Sequence, residues 1–206
     1  MYLEVFVLDR NEYLEIVEAQ IRCKRAIPYL KELGVKKIDA MIGSHLHYNH
    51  IQAQGDILDN FDVSEIYYPD DIYTCHNYGS CDTNDQAYIL SAIKKYGKNP
   101  IVLKPGEKVT IGEIEIYILA PQNIITGKYC QNANSFIFIL KYYNNTFMFT
   151  GDAGASQLNG SKLKPYADKL GISLDVDLLK YPHHGNADLY DNSLSYIKPE
   201  YTVVPN

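Results

Sequence analysis

The 206-residue sequence predicts a single-domain α/β fold, and three observations carry that reading. Short apolar and β-branched runs of strand length interleave with segments of helix length. Gly and Pro stand at most of the boundaries between them. No linker, internal repeat or low-complexity tract divides the chain, so residues 1–206 are expected to share one core.

The elements follow in order. Tyr2 to Leu8 reads as a strand and Ile21 to Leu33 as a helix stopped by Gly34. Lys37 to Gly43 is a short apolar run that reads as a buried strand, followed at once by histidines and then by a helix from Ile51 to Leu58. Ser64 to Tyr68 is a strand ended by Pro69, and Thr83-Asn84-Asp85 caps a helix that runs to about Tyr96, before Gly97. Ile101 to Leu103, Lys108 to Ile111 and Ile114 to Leu119 are strands separated by Pro and Gly turns. Phe136 to Leu140 and Asn145 to Thr150 are further strands, and Ala155 to Leu170 is a helix that Pro165 should break or kink. Asp177 to Tyr181 is a strand broken by Pro182, and Tyr201 to Val204 closes the chain.

Chemistry concentrates at three strand ends. His45, His47 and His50 put three of the six histidines into six residues, and His183 and His184 stand together near the far end. Imidazole is the commonest metal ligand. A His-x-His pair in extended backbone places both rings on one side, and ligands gather at the carboxyl ends of strands in open α/β sheets. A helical His-Glu-x-x-His signature, with histidines four apart on one face, is a different arrangement. Asp152 follows the Asn145 strand as Gly151-Asp152-Ala153; alone it reads as a turn residue or helix cap, but beside two histidine clusters it is a candidate anionic ligand between two metals.

Composition narrows the function classes without choosing one. A net charge of −6 gives no global attraction for a polyanion, and Lys162, Lys164 and Lys169 read as an exposed helix face rather than a phosphate track. No apolar run approaches the roughly 20 residues of a membrane span. With no apolar signal core, the expectation is a soluble, cytoplasmic protein. Cys23, Cys75, Cys81 and Cys130 lack Cys-x-x-Cys spacing, which argues against a structural zinc site; the thiols of the Tyr73 to Thr83 loop are expected to be free and exposed. The 19 tyrosines read mostly as half-buried sheet and rim residues.

The succession His45-x-His47-x-Asn49-His50, Phe149-Thr150-Gly151-Asp152 and Tyr181-Pro182-His183-His184-Gly185 resembles the metallo-β-lactamase-fold hydrolases, over about Glu4 to Val204. It looks most like the hydrolase domain of bacterial DNA-uptake (competence) channel proteins, which Asn132-Ala133-Asn134-Ser135 also matches. The resemblance implies a four-layer αββα sandwich with a metal site at one edge. It implies His45 and His47 at a first metal, His50 and His184 (or His183) at a second, and Asp152 bridging them. It implies zinc, one or two ions, with manganese or iron compatible with a mixed N/O set. Asn134 and Ser135 match positions facing the substrate, and Tyr48 in the ligand loop is a further candidate substrate contact.

The implied chemistry is hydrolysis by metal-bound hydroxide, since a bound metal lowers the pKa of water from 15.7 to about 7 and no side-chain nucleophile is needed. The implied substrate is a phosphodiester or another small ester; nucleic acid fits the resemblance, but the charge lends it no support. Asn49 stands where the family pattern has Asp, and an amide offers a neutral carbonyl oxygen in place of a charged ligand. Weakened activity, or a catalytically degenerate module that binds or regulates, is the expectation from that change. Both ends look trimmed against the family pattern, and exposed sheet edges give one reason for a homo-oligomer.

Overall fold

The computed structural model describes residues 4–9, 13–18, 26–74, 83–126, 130–187, 189 and 191–204. Strands β1 (Glu4–Asp9) and β2 (Tyr13–Glu18) form an antiparallel hairpin with Asp9 opposite Tyr13. β2 is an element the sequence reading lacked. Helix α1 (Ala26–Glu32) leads to β3 (Lys37–Ile42), and β1 runs along β3. Helix α2 (Tyr48–Asn60) connects β3 to β4 (Asp62–Tyr68), and β3, β4 and β5 (Ile101–Val102) form a parallel sheet. Between β4 and β5 lie α3 (Asp71–Thr74) and α4 (Thr83–Lys95).

The second sheet takes its strands from the later part of the chain: β6 (Lys108–Ile111), β7 (Ile114–Ala120), β8 (Ile137–Tyr142), β9 (Asn145–Phe149), β10 (Leu178–Lys180) and β11 (Tyr201–Val203). Its order is β11-β10-β9-β8-β7-β6, antiparallel from β6 to β9 and parallel across β9, β10 and β11. Helix α5 (Cys130–Ala133) precedes β8, α6 (Gly160–Leu170) follows β9, and α7 (Asp191–Ile197) precedes β11.

Three apolar clusters define the layers. Ile38, Met41, Val63 and Ile66 pack against Leu30 of α1, Ile51 and Ile57 of α2 and Ile89 and Ile93 of α4. Ala40, Ile42 and Tyr67 face Ile116, Ile118, Phe138, Leu140 and Phe149, closing sheet on sheet. Tyr117, Leu119, Ile137 and Ile139 face Leu163 and Ala167 of α6 and Ile197 of α7. Odd and even residues of β7 and β8 thus point into different clusters, as the twofold period of a strand requires. Both faces of this sheet are covered, which is why its strands read as nearly unbroken apolar runs. The result is the αββα order expected from the sequence.

Two boundaries differ from the sequence reading for local reasons. Helix α2 begins at Tyr48, three residues before the expected Ile51, so Asn49 and His50 lie in its first turn. The extra turn is supported from outside, by the Asp85 carboxylate of α4 accepting the Tyr48 N–H at 3.0 Å. Helix α6 begins at Gly160 rather than Ala155 and runs through Pro165 without a break. Asn159 caps its start by accepting the Ser161 N–H at 3.0 Å, and Gly171 closes its end in the left-handed conformation at φ 67°. Burial of Leu163 and Ala167 offsets the hydrogen bond that Pro165 removes. Lys162, Lys164 and Lys169 are exposed on this helix, as expected. Cys130 is buried in α5, while Cys23, Cys75 and Cys81 lie outside the described residues. Among the described residues no helix is long and apolar enough to cross a membrane.

Candidate metal centre

The ends of β3, β9 and β10 meet at one edge of the two sheets. Phe136 donates its N–H to the Ser44 carbonyl at 2.9 Å, which ties the loop after β3 to the strand entering β8. Gly43 is required there, because the Tyr68 ring occupies the space a Cβ would take. Tyr68 in turn donates its hydroxyl to Gln54 of α2. The loop between β3 and α2 is thereby fixed from below and from both flanks.

Ser44 sets the direction of two imidazoles. Its hydroxyl lies 3.2 Å from His45 Nδ1 and 3.5 Å from His50 Nδ1, so both rings present Nε2 to the centre. A partner on the second ring nitrogen is the usual device for orienting a ligating histidine. His45 Nε2 stands 3.0 Å from His47 Nδ1. His47 occupies the N-cap position of α2 in extended conformation. Ser44, His45 and His50 are buried, and His47 is half-buried.

Asp152 stands at the middle of the group. Its Oδ2 lies 3.2 Å from His50 Nε2 and 3.8 Å from His45 Nε2, and its Oδ1 lies 3.5 Å from His184 Nε2. Gly151 turns the chain at φ 51°, where a Cβ would also collide with Ser135 and Ser44. Ser135 Oγ accepts the Asp152 N–H at 3.1 Å, and the buried Lys180 donates to the Gly151 carbonyl at 3.1 Å. Thr150 donates its hydroxyl to the Lys180 carbonyl at 2.8 Å, stapling the ends of β9 and β10.

The loop after β10 reaches the centre by an unusual backbone. Pro182–Gly185 form a 3-10 turn in which His183, His184 and Gly185 all have positive φ, at 49°, 53° and 81°. For a residue with a Cβ this conformation costs about 1–2 kcal/mol, and such strain gathers at functional sites. His183 Nε2 lies 4.0 Å from Asp152 Oδ2 and 3.4 Å from Asn132 Nδ2.

Burial pushes the His45 imidazole well below its ordinary pKa, with neighbouring His50 adding to the effect. Burial also lowers His47, with His50 again adding to it. For Asp152 burial opposes ionisation, but His184 and His50 beside it outweigh that and hold its carboxyl far below the usual range. A neutral His45 and His47 beside an ionised Asp152 are the protonation states a cation needs. Two groups of possible ligands result: His45, His47 and Asp152, and His50, Asp152 and His184, each with ligand atoms within 4.8 Å of one another. His50 Nε2 and Asp152 Oδ1 are buried with no hydrogen-bond partner among the described residues.

The other residues singled out from the sequence fall at several depths. Asn134 is fully buried, and its amide is engaged with Ile125, accepting the N–H at 2.7 Å and donating to the carbonyl at 3.0 Å. Ser135 is buried against the Asp152 turn. Tyr48 is half exposed, with its ring edge-on to Tyr88 at 5.8 Å. Asn49 is partly exposed in the first turn of α2. The amide that faces the cluster is Asn132, which the sequence reading named only as part of a motif. Ser44 and Lys180 were missed altogether; their partners are set by the fold, and the bare sequence carries no signal for them.

The model of the Metallo-beta-lactamase superfamily matches residues 11–204. Among solved structures, a candidate metallo-beta-lactamase from Thermotoga maritima is 20% identical, with 89% of this chain and 93% of that one covered at a TM-score of 0.51. CmlA, a diiron β-hydroxylase from Streptomyces venezuelae, is 11% identical, with 81% of this chain and 35% of that one covered at 0.52. The metallo-beta-lactamase fold protein YhfI from Bacillus subtilis is 16% identical, with 80% and 63% covered at 0.45. At such identities the likeness speaks to fold alone, and this chain spans less than two thirds of the length of YhfI and CmlA. No curated protein matches the chain.

Proposed function

The chain belongs to the metallo-β-lactamase superfamily, and we propose that it is a metal-dependent hydrolase acting on phosphodiesters. The observation that carries this reading is the pair of ligand groups sharing Asp152. The residues fit a metal: two imidazole sets converge on one carboxylate, and His50 Nε2 and Asp152 Oδ1 are buried without hydrogen bonds of their own. His45, His47 and Asp152 would hold one ion, and His50, Asp152 and His184 a second. Imidazole with carboxylate suits zinc, with manganese or iron as the alternatives. When bound, such ions supply a water acidified from 15.7 to about 7 and positive charge against the attacked group.

The chain's own residues have distinct parts in this reading. Ser44 orients His45 and His50; Ser135 and Lys180 hold the turn that presents Asp152. Asn49 contributes a neutral amide where a carboxylate would add charge at the second ion. The likeness of Asn132-Ala133-Asn134-Ser135 to the DNA-uptake hydrolase domains supports a phosphodiester substrate, and the net charge of −6 favours a small one over a long nucleic acid.

The experiment is metal content by elemental mass spectrometry on protein offered zinc, followed by a chromogenic phosphodiester assay. About two ions per chain with measurable hydrolysis supports the reading; no bound zinc ends it. Asn49 favours a second reading, a module that keeps the metal but no longer hydrolyses. Bound metal with no hydrolysis, and no gain on Asn49→Asp, would establish that one instead.

A further inference from the structure

Buried polar atoms without hydrogen bonds gather at the centre. Among the described residues His50 Nε2 and Asp152 Oδ1 are two of them, and both belong to the ligand groups. Asn132 Oδ1, in α5, carries the same mark: it is buried and receives no well-aligned hydrogen bond. A buried acceptor left open costs stability unless a partner arrives. The mark is not common to the whole motif, because the amide of neighbouring Asn134 is bonded twice to Ile125.

The rest of the Asn132 amide shows where that partner would sit. Its Nδ2 is taken by the second histidine loop, 3.4 Å from His183 Nε2, which leaves Oδ1 as the open end. The same amide contacts the ring of His47, whose Nδ1 stands 3.0 Å from His45 Nε2. Asn132 therefore lies against the group of His45, His47 and Asp152. That group offers three ligand atoms, whereas zinc takes four and manganese up to six. An amide oxygen has lone pairs and no proton, so a cation satisfies it and an anion does not. The buried Lys180 already donates to the Gly151 carbonyl.

We propose that Asn132 Oδ1 is a fourth protein ligand to the ion held by His45, His47 and Asp152. This rests on the metal-binding reading above and adds an oxygen to the donor set. The first ion then has two imidazoles and two oxygens, while the group of His50, Asp152 and His184 supplies two imidazoles and one. Oxygen ligands suit manganese more than zinc, so the first ion should be the more tolerant of manganese.

The test is stepwise titration of the full metal-free chain with zinc and, separately, with manganese. Asn132→Ala should weaken one of the two ions, by about a hundredfold for manganese and about tenfold for zinc. The near-isosteric Asn132→Asp, which puts a charged oxygen in the same place, should tighten both metals. Equal losses for the two metals in Asn132→Ala would overturn the ligand and make Asn132 a positioning residue of His47. Unchanged affinities in both variants would overturn it outright and leave the hydrolase reading standing. Failure of the wild type to take either metal would sink both.

Discussion

The loops after β3 and after β10 deliver histidines to the same carboxylate by opposite means. The first uses ordinary backbone: an extended His45-x-His47 pair, then a helix start that carries His50 inward. Its precision comes from neighbours, with Ser44 on two ring nitrogens, Tyr68 against Gly43, and Asp85 at the first turn of α2. The second uses strained backbone, with three successive positive φ values, anchored by Lys180 and Gly151 beneath it. Geometry is supplied by side-chain support in one loop and by the main chain itself in the other. Substitutions should therefore act on them differently.

The largest expected effect erases the distinction. Asp152→Asn removes the anion both loops converge on, and zinc per chain should fall to near zero by elemental mass spectrometry, whereas His184→Ala should remove one ion and leave the other. Next in size is pH. His45 and His47 have folded pKa values below the unfolded value of about 6.5, so the unfolded chain binds more protons beneath that point. Stability is then full above about 6.5 and declines as pH falls below it, with the buried His45 contributing more than the half-buried His47. The depressed Asp152 adds a further loss once pH falls below the ordinary carboxylate range. Thermal melts of metal-free protein across pH check this, and His45→Asn with His47→Asn should flatten the curve. A melt that rises on acidification would contradict the neutral-imidazole assignment.

Ser44→Ala tests the first loop alone. Freeing both Nδ1 atoms should weaken zinc by about ten- to a hundredfold in a competition titration, with little change in the fold. Lys180→Met tests the second, removing the charged donor to the Gly151 carbonyl and leaving it the His183 N–H alone, at a cost of about 1.5–3 kcal/mol in thermal or urea unfolding. The smallest effect separates the two strategies most sharply. His183→Gly should raise the stability of metal-free protein by about 1 kcal/mol by relieving the left-handed strain, while His47→Gly, at an extended position, should give no such gain.

The same contrast explains what was legible in the sequence. His45, His47 and His50 could be read because strand periodicity and a strand-to-loop boundary are local signals. Asp152, His183 and His184 could be read as motif neighbours at strand ends, but their left-handed turn could not, since two consecutive histidines carry no propensity for it. Ser44 and Lys180 act through partners that only the docking of two sheets defines. Asn134 and Ser135 sit beside the centre with their polar atoms engaged at Ile125 and Asp152, whereas Asn132 in the preceding turn faces it; a four-residue motif does not say which members point inward. The start of α2 was missed because the carboxylate that accepts the Tyr48 N–H, Asp85, lies 37 residues away on α4.

The candidate ligands also come from distant parts of the chain: His45, His47 and His50 precede β4, while Asp152 and His184 follow β9. A nascent polypeptide that has emerged only as far as β7 carries His45, His47 and His50 of the two ligand groups and no bridging carboxylate. On the proposed metal-binding reading, both ligand groups would be complete only once the second sheet has docked, through contacts such as Phe136 on Ser44. Unfinished or interrupted chains would compete poorly for the cell's metal, and tight loading would mark completed ones.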